Sequence, residues 1–509
     1  MGWAQSPLED YCWGVGRPQT VDAGGDSVVG TASPRPLEDL WKQASTATRV
    51  VDAGAALVEQ WVAAELGNSS YLVVDRDRGE AVVIDPLRDV DRYLAVAGDH
   101  GWRFSASLDT HVHNDFLSGG PDLRAAVGSS LLVPRDSRIA GADRELSDGE
   151  EIAVGTLRLR AIHSPGHTPE HLSYLLVDAD GRLLALFSGG ALMVGTMARP
   201  DLLGTSHTYA QSHRGYDTLR HHLLTLPDEL CVLPTHGGGS FCGAASSDVR
   251  VTSVGRERRE NPLATAPDFA HFLAIHANQG RYPAYYARMA PLNRVAQPAP
   301  AMVAERLTPA AFRAAVDGGA IAVDCRAYDA FDAGHVPGSL SIPGDGPFSA
   351  WVGWVVDIEA PVVLVSASAS AAQEATRQLV RVGFDDVRGW LDPHDWIEQG
   401  RATRSVTRCT MAHLTERILS GYDITVIDVR QDAEWAGGHL PGAVHVLAPD
   451  LAAIVDRLDR EAPIAVHCAT GYRAALGVSL LLRHGFADVC HVIDGVEAWS
   501  ALGHPLITS

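Results

Sequence analysis

The residues best suited to chemistry in this chain of 509 residues lie in one short stretch, Asp109-Thr110-His111-Val112-His113-Asn114-Asp115. His111, His113 and Asp115 stand at alternate positions directly after an alternating apolar run, 102–108. Alternate residues of an extended segment share one face, so the three side chains can converge on one point. Imidazole and carboxylate groups at such a point can bind a metal ion. A polar loop with solvated histidines is the alternative.

Two more histidines occur in the same context further along the chain. His167 lies in Ser164-Pro165-Gly166-His167-Thr168, on a Pro-Gly turn after an alternating strand pattern. His236 lies in Pro234-Thr235-His236-Gly237, at the end of another predicted strand. Loops at strand ends are where α/β and α+β folds place chemistry. The repeated context favours a metal site over solvated loops.

Short β-branched runs alternate with segments of helical spacing across this half of the chain. Runs 70–74 and 81–85 are separated by Asp77-Arg78-Gly79, which is typical of a hairpin turn. Segments 90–100 and 121–127 have helical spacing and flank the histidine stretch. The elements needed to position the histidines are therefore predicted on both sides of them.

The order of these motifs resembles the metallo-β-lactamase fold, a four-layer αββα sandwich, over residues 50–243. Within that fold, four segments are most similar to the persulfide dioxygenase branch: Ile84-Asp85-Pro86-Leu87-Arg88-Asp89, 165–171, 198–202 and 236–240. The resemblance implies an enzyme that holds one Fe(II) and oxidises a low-molecular-weight persulfide, typically glutathione persulfide, to sulfite with O2.

Two positions depart from the family pattern. Phe116 stands where the wider superfamily often has a histidine for a second metal, which suits a mononuclear site. Gly190 stands where family members carry an aspartate that is an iron ligand. The site implied by the resemblance then has three histidines, His111, His113 and His167, with Asp115 and His236 as weaker candidates. Such a site could hold Fe(II), Zn(II) or no metal, and Asp115 could supply the missing carboxylate.

The last two hundred residues contain a duplicated pattern. Asp324-Cys325-Arg326 matches Asp428-Val429-Arg430, and Gly334-His335-Val336-Pro337-Gly338 matches Gly438-His439-Leu440-Pro441-Gly442. A spacing of roughly one hundred residues indicates two copies of a domain rather than a solenoid. Each copy alternates strands and helices, which predicts a doubly wound parallel sheet.

The second copy carries a candidate nucleophile, Cys468, between a strand pattern and a helix. A cysteine there faces backbone N–H groups and the positive end of the helix dipole, which favours a thiolate. Arg473 adds positive charge, and a buried inert thiol is the alternative. We predict Cys468 and Arg473 as catalytic residues. The loop predicted to cradle a persulfide consists of Ala469, Thr470, Gly471 and Tyr472.

Both copies resemble rhodanese domains through the D-x-R, GH-x-PG and cysteine-loop positions. Cysteine phosphatases carry one more residue between cysteine and arginine, so this shorter loop suits a sulfane sulfur better than a phosphate. In the first copy Ser366 replaces the cysteine and Ala371 replaces the arginine. That copy is therefore predicted to be catalytically silent, and Cys325 is not expected to take over.

Composition and charge exclude several classes of partner. The formal net charge of −21 argues against nucleic acid or an anionic membrane surface, because both require a basic face. The seven cysteines are dispersed without a CxxC pair, which predicts reduced thiols and a cytoplasmic protein. We expect neither a secretory signal nor a membrane span.

The fold class expected is a multidomain α/β and α+β protein, a metallo-β-lactamase αββα sandwich followed by two rhodanese-like doubly wound parallel-sheet domains. The predicted boundaries are 1–47 for a loose leader, 48–250 for the first domain, 251–300 for a helical extension and linker, 301–402 for the silent copy and 403–509 for the active copy.

The whole order resembles fusions of a persulfide dioxygenase with rhodanese domains, which implies small thiol persulfides, thiosulfate and sulfite as partners. Three hypotheses remain open from the sequence. The protein could be a bifunctional sulfur-oxidising enzyme, a sulfurtransferase whose front domain only binds persulfide, or a metal-dependent thioester hydrolase of the glyoxalase II type. Gly190 weakens the first and the third. A homo-oligomer is the default expectation for such an enzyme.

Overall fold

The structure is a computed structural model that describes residues 47–243, 248–277 and 280–508. The predicted leader, 1–47, lies outside the described residues except for its last position. The chain divides into two compact units between Pro300 and Ala301. None of the helices in the described parts of the chain has the length and apolar character needed to cross a membrane.

The front unit contains a seven-stranded sheet in the order β1-β2-β3-β4-β5-β6-β7. Strands β1 to β4 pair antiparallel and β4 to β7 pair parallel. The strands are β1 (Thr48–Ala53), β2 (Ala56–Ala63), β3 (Asn68–Asp75), β4 (Glu80–Ile84), β5 (Arg103–Leu108), β6 (Ser130–Pro134) and β7 (Arg144–Leu146).

A second sheet of six strands follows in the order β13-β12-β11-β10-β9-β8. Only β11 and β12 pair parallel in this sheet, and its other pairings are antiparallel. The strands are β8 (Glu151–Val154), β9 (Leu157–His163), β10 (Leu172–Val177), β11 (Leu183–Gly189), β12 (Cys231–Pro234) and β13 (Thr252–Ser253).

The main core of the front unit lies between the two sheets, where Tyr71 and Ile84 of the first sheet pack with Tyr174 and Phe187 of the second. Helices cover the outer faces, so β3 is buried along its whole length. The helices are α1 (Asp91–His100), α2 (Gly120–Val127), α3 (Thr208–Thr218) with a π turn (Leu219–Leu223), α4 (Val254–Glu260), α5 (Pro262–Thr265), α6 (Phe269–His276) and α7 (Tyr286–Val295). The predicted αββα sandwich is confirmed.

The second unit holds two parallel sheets, in the orders β15-β14-β16-β17 and β18-β22-β21-β19-β20. The predicted duplication and parallel pairing are confirmed. The strands are β14 (Ile321–Asp324), β15 (Leu340–Ser341), β16 (Val362–Val365), β17 (Val387–Leu391), β18 (Thr407–Cys409), β19 (Thr425–Asp428), β20 (Val444–His445), β21 (Ile464–His467) and β22 (Val489–Val492).

Helices separate these strands, as the doubly wound pattern requires. In the first copy they are α8 (Pro309–Asp317), α9 (Tyr328–Ala333), α10 (Phe348–Val355), α11 (Ala369–Arg381) and α12 (Pro393–Glu398). In the second copy they are α13 (Met411–Leu419), α14 (Asp432–Ala436), α15 (Tyr472–Arg483) and α16 (Val496–Ala501), with short 3-10 turns at Ala448–Ala453 and Val455–Arg457.

Two helices of the front unit carry an irregular feature. The helix that begins at Thr208 ends in a π turn over residues 219–223. The helix Tyr286–Val295 contains Pro291.

Candidate metal centre and sulfur-transfer site

Three of the predicted histidines converge at the strand ends of the front unit. His111, His167 and His236 each offer a ring nitrogen, and these atoms all lie within 4.8 Å of one another. The Nε2 atoms of His111 and His236 are 3.3 Å apart. All three side chains are fully buried. Each histidine follows a different strand, β5, β9 or β12, so the sheet edges and not local sequence bring them together.

The hydrogen bonds of the three rings leave each Nε2 turned to the same point. In every case Nδ1 is occupied by a partner outside the trio, which orients the ring as a metal ligand requires. The partners are Thr110 Oγ1 for His111 (2.8 Å), the Arg199 carbonyl for His167 (2.7 Å) and Asn68 Oδ1 for His236 (3.0 Å).

His113 and Asp115 lie at the side of this trio. His113 Nε2 donates to Asp85 Oδ1 at 3.2 Å, and Asp115 Oδ2 lies 3.1 Å from His236 Nδ1. His113, Asp115 and His236 form a second group of ligand atoms within 4.8 Å of one another. The structure thus gathers all five predicted ligands into one cluster, with His236 in a more central place than the sequence suggested.

Buried polar atoms without partners mark this cluster as a place for an ion. Among the described residues, His113 Nδ1, Asp115 Oδ1 and His167 Nε2 are buried and accept or donate no hydrogen bond. Buried polar groups are rarely left unsatisfied, because each costs about 1–3 kcal/mol. A metal ion held by His111, His167 and His236 would give the orphaned His167 Nε2 a partner, so the residues present fit one.

The electrostatics favour neutral imidazoles, the form that binds metals, at His111 and His167. Burial and the neighbouring histidines lower the pKa of His111 well below its usual range, and burial lowers the pKa of His167 to about 3. Burial alone would lower the pKa of His113, but the charge of Asp85 raises it overall. Burial opposes ionisation of Asp115, yet His236 keeps the pKa of that carboxyl below its usual range.

The space beside Gly190 is already filled. A Cβ at this position would lie 2.8 Å from the Ala198 Cβ and 2.9 Å from the His167 Cδ2. Its backbone N–H donates to His171 Nε2 at 2.9 Å, which holds the loop in place. Phe116, the other departure, stacks on His113 with a ring distance of 4.1 Å. The centre therefore has neither a second-metal histidine nor a carboxylate at 190.

Sequence reasoning missed residues of the helical extension that contact the metal loop. Asn293 Nδ2 donates to the His113 and Phe116 carbonyls, both at 2.9 Å, and its Oδ1 accepts from the Ser118 N–H at 2.8 Å. Tyr285 Oη donates to the Asp115 carbonyl at 2.9 Å. These residues satisfy the backbone of the metal loop. Their only sequence signal was a polar residue within a helical pattern.

Cys242 is a further residue near the cluster that the sequence did not single out. Its Sγ lies 4.0 Å from Tyr286 Oη. Burial, together with the nearby Asp115 carboxylate, raises the pKa of the Cys242 thiol well above its ordinary value. The side chain is thus a neutral thiol at the edge of the metal cluster.

In the second unit, Cys468 lies at the end of β21 and its sulfur is buried. The Gly471 N–H donates to the Cys468 Sγ at 3.2 Å, and α15 begins at the next residue. Gly471 has a φ of +87°, a left-handed conformation that favours glycine. Burial alone would lower the pKa of Arg473, but its hydrogen bonds to Glu434 and the charge of Cys468 raise it, so the guanidinium stays charged beside the sulfur.

Residues of the silent copy support this loop from outside it. Tyr472 Oη donates to the Pro343 carbonyl at 2.9 Å, and Gly346 packs so closely on Tyr472 that a Cβ would lie 2.4 Å from its ring. A buried pair joins the two copies as well. His491 Nδ1 lies 2.7 Å from Asp332 Oδ2, and its Nε2 lies 2.9 Å from the Gly471 carbonyl.

The matching loop of the silent copy is closed. Ser368 accepts a hydrogen bond from the Ala371 N–H at 3.2 Å and caps α11, so this N–H at the helix start already has a side-chain partner. Burial raises the pKa of Cys325 to about 12, and its thiol donates to the Val365 carbonyl. Neither Ser368 nor Cys325 therefore provides a thiolate in this loop.

Comparison with known proteins shows which families the two units of the chain resemble. Residues 308–389 and 411–502 match the family model described as Rhodanese-like domain. Persulfide dioxygenase ETHE1 of Homo sapiens is 31% identical over 199 residues, which are 38% of this chain and 71% of that protein. The chain belongs to the persulfide dioxygenase family. It continues beyond that match into the two rhodanese-like domains.

Other relatives of this persulfide dioxygenase family member are hydrolases. Hydroxyacylglutathione hydrolase of Polaromonas sp. is 34% identical over 35% of this chain, which spans 64% of that hydrolase, and the chain spans 57% of a mouse hydroxyacylglutathione hydrolase-like protein. The crystal structure of a metallo-β-lactamase from Staphylococcus aureus subsp. aureus COL has a TM-score of 0.61 at 27% identity, with 66% of this chain and 99% of that chain covered.

Restoring a thiol to the silent copy by Ser366→Cys should give little sulfur transfer, because Ala371 provides no cation and Ser368 closes the loop. The variant is best made in a Cys468→Ser background and assayed with thiosulfate and cyanide, with Ser366→Cys/Ala371→Arg as its matched partner. A robust persulfide adduct on the introduced thiol of the single variant, seen by mass spectrometry, would contradict this prediction.

Asp332→Asn, a change in the silent copy, should lower kcat/KM for sulfur transfer at Cys468 about tenfold, equivalent to about 1.4 kcal/mol. The variant removes the negative charge that orients His491 on the Gly471 carbonyl. Asp329→Asn removes an exposed charge from the same helix and should have no effect. Asp332→Glu should restore part of the rate. An unchanged rate in Asp332→Asn with an intact fold would refute this positioning role.

Proposed function

We propose that this protein is a bifunctional enzyme of persulfide metabolism, with sulfur transfer at Cys468 and metal-dependent persulfide oxidation in the front unit. The observation that carries the proposal is the Cys468 sulfur, which accepts a hydrogen bond from the Gly471 N–H beside the Arg473 guanidinium. Backbone donors and a fixed cation stabilise a thiolate and equally a persulfide anion at this position.

Sulfur transfer follows from this geometry in two steps. The Cys468 thiolate attacks the outer sulfur of a donor such as thiosulfate or a thiol persulfide; the donor S–S bond breaks, and sulfite or a thiolate leaves. Cys468 then carries one sulfane sulfur. An acceptor thiolate, sulfite or cyanide attacks that sulfur, and the Cys468 thiolate departs, again stabilised by the Gly471 N–H and Arg473.

The Glu434 carboxylate fixes the direction of Arg473. One Glu434 oxygen accepts from Arg473 Nη2 at 2.8 Å and the other accepts from Nη1, in a bidentate pair. Glu434 is itself held by the Gln431 N–H at 3.0 Å at the start of α14. A guanidinium held in this way serves as a positioned counter-charge for the sulfur and not as a flexible surface residue.

In the front unit, His111, His167 and His236 would hold one divalent metal, Fe(II) or Zn(II), with His113 and Asp115 next to it. When bound, such a metal supplies an open coordination position at which a persulfide sulfur can bind and, for Fe(II), O2 chemistry. The surrounding residues exclude water and fix the imidazoles. Low-molecular-weight thiol persulfides, of glutathione or a similar thiol, are the substrates we propose.

The same cluster favours oxidation over hydrolysis of a thioester, the second hypothesis that the relatives raise. Two-metal hydrolysis needs ligands for a second ion and a carboxylate that bridges both ions. Phe116 and Gly190 occupy the corresponding places in this chain and offer no ligand atom. A front unit that only binds persulfide is the remaining alternative, and metal content distinguishes it.

A chain with both activities gains from their linkage. Sulfite from the front unit is an acceptor for the sulfane sulfur on Cys468, and the product of that transfer is thiosulfate. Covalent linkage raises the concentration of each product near the other site.

Cys468→Ser should abolish sulfur transfer from thiosulfate to cyanide, because no other described thiol lies on a loop of this kind. Cys325→Ser, the matched change of a buried cysteine in the silent copy, should retain full activity. Initial rates of thiocyanate formation measure both. Full activity in Cys468→Ser would overturn the assignment.

Purified protein should contain one metal ion per chain, with Zn(II) somewhat more favoured than in the family's iron site, and should consume O2 slowly with glutathione persulfide. Gly190→Asp alone should not help, because its Cβ would contact Ala198 and His167. Gly190→Asp/Ala198→Gly should also fail to raise iron occupancy or O2 uptake, because the new Cβ would still lie 2.9 Å from the His167 Cδ2, and Ala198→Gly is its control. Metal analysis and an oxygen electrode provide the measurements.

Two outcomes would contradict this prediction. Stoichiometric Fe(II) with fast persulfide turnover in the unaltered protein would show that the missing carboxylate is no handicap. Absence of metal under every loading condition would show that the front unit is only a binding platform.

A further inference from the structure

Two cysteines of the second rhodanese-like domain, Cys409 and Cys490, lie in contact near the sheet edge opposite β20. Cys409 ends β18 and Cys490 lies in β22, which pairs parallel with it, and the two residues are diagonal neighbours across the pair. Cys490 Sγ donates to Cys409 Sγ at 2.6 Å. Both residues are free cysteines.

The two thiols are not equivalent. Cys409 is partly exposed, whereas Cys490 is buried in the core with Leu414 and Trp499. The hydrogen bond from Cys490 lowers the pKa of Cys409, and the Arg417 charge lowers it further. The hydrogen bond to Cys409, with burial, raises the pKa of Cys490. A reachable thiol that ionises more readily than the buried thiol in contact with it is the arrangement of an attacking and a resolving cysteine.

We propose that Cys409 and Cys490 form a second sulfur-reactive site, a dithiol that low-molecular-weight persulfides oxidise to a disulfide. The substrate class rests on the proposed function, which places persulfides in the range of this protein. The side chains supply the geometry, because the two sulfur atoms already lie 2.6 Å apart, near the S–S bond length of about 2.05 Å.

The reaction has two steps. The Cys409 thiolate attacks the outer sulfur of the persulfide RSSH, whose S–S bond breaks, and RS⁻ leaves and takes a proton. Cys490 Sγ then attacks Cys409 Sγ, the new S–S bond of the protein persulfide breaks, and sulfide leaves with the Cys490 proton. The sum is two thiols plus RSSH giving one disulfide, RSH and hydrogen sulfide. The protein thiols lose two electrons and the persulfide gains them.

This chemistry differs from that of Cys468. The Cys468 loop stabilises a stored persulfide, and it has no neighbouring thiol among the hydrogen-bond partners described for it. At Cys409 the neighbouring thiol would discharge the persulfide at once. Cys490 also directly precedes His491, whose ring holds the Gly471 carbonyl of the active loop, so the oxidised pair would lie one residue from a group that positions that loop.

The test uses the full chain with Cys468→Ser, reduced and then treated anaerobically with glutathione persulfide. After free thiols are blocked with iodoacetamide, peptide mapping without reductant should find Cys409 cross-linked to Cys490, with one sulfide released per cross-link. Adding Cys490→Ser should leave a persulfide on Cys409. Adding Cys409→Ser should leave Cys490 unreacted, and Cys325→Ser should change nothing.

Three results would overturn the proposal: both thiols remain free, Cys409 keeps a stable persulfide although Cys490 is present, or diamide forms the cross-link while glutathione persulfide does not. The last result would keep the dithiol geometry and reject persulfide as its oxidant. Thiosulfate–cyanide transfer by the Cys409→Ser/Cys490→Ser variant, with Cys468 intact, tests the proposed function separately, so the two failures are distinguishable.

Discussion

The buried Asp85 carboxylate is the group on which the geometry of the metal centre depends. It accepts from the Thr110 N–H at 2.6 Å, from Thr110 Oγ1 at 2.8 Å, from Thr235 Oγ1 and from His113 Nε2. Both threonines directly precede a histidine of the converging trio, so one side chain ties two strand-end loops together across both sheets. Asp85 has a φ of +50°, which costs an L residue about 1–2 kcal/mol. Four hydrogen bonds to a charged acceptor offset that cost.

The first rhodanese-like copy, which the sequence predicts to be silent, has an analogous role in the second unit. Asp332 and the Pro343 carbonyl satisfy His491 and Tyr472, two side chains of the active copy whose polar atoms would otherwise be buried without partners. Leaving such groups unsatisfied costs about 1–3 kcal/mol each, more when one is charged. The Asp332 side chain and the Pro343 carbonyl therefore contribute to the Cys468 loop without any chemistry at Ser366.

The sequence predicted most of the strand ends, turns and loops that depend on the local pattern of residues. The strand that ends at Leu108, the Pro-Gly turn at Gly166 and the cysteine loop after β21 lie where alternation and turn residues placed them. Long-range geometry was not predictable in the same way. The central place of His236 depends on how the edges of two sheets come together, and the role of Asn293 depends on how α7 packs on the metal loop. The residues next to His236 and Asn293 in the sequence do not indicate these long-range contacts. The Cys409–Cys490 contact depends on strand order, which spacing alone does not give.

The missing carboxylate at Gly190 illustrates why a substitution must be read with its surroundings. Ala198 and the His167 ring occupy the space that a side chain at position 190 would need. The glycine therefore leaves no cavity at the centre. Three neutral imidazoles bring no negative charge to a divalent ion. The Asp115 carboxylate lies beside the trio, 3.1 Å from His236 Nδ1, and its Oδ1 has no hydrogen-bond partner among the described residues while Oδ2 is held by Asn68 at 2.8 Å. A divalent ion held by the trio would therefore have its nearby negative charge on a carboxylate beside the histidines and not at position 190.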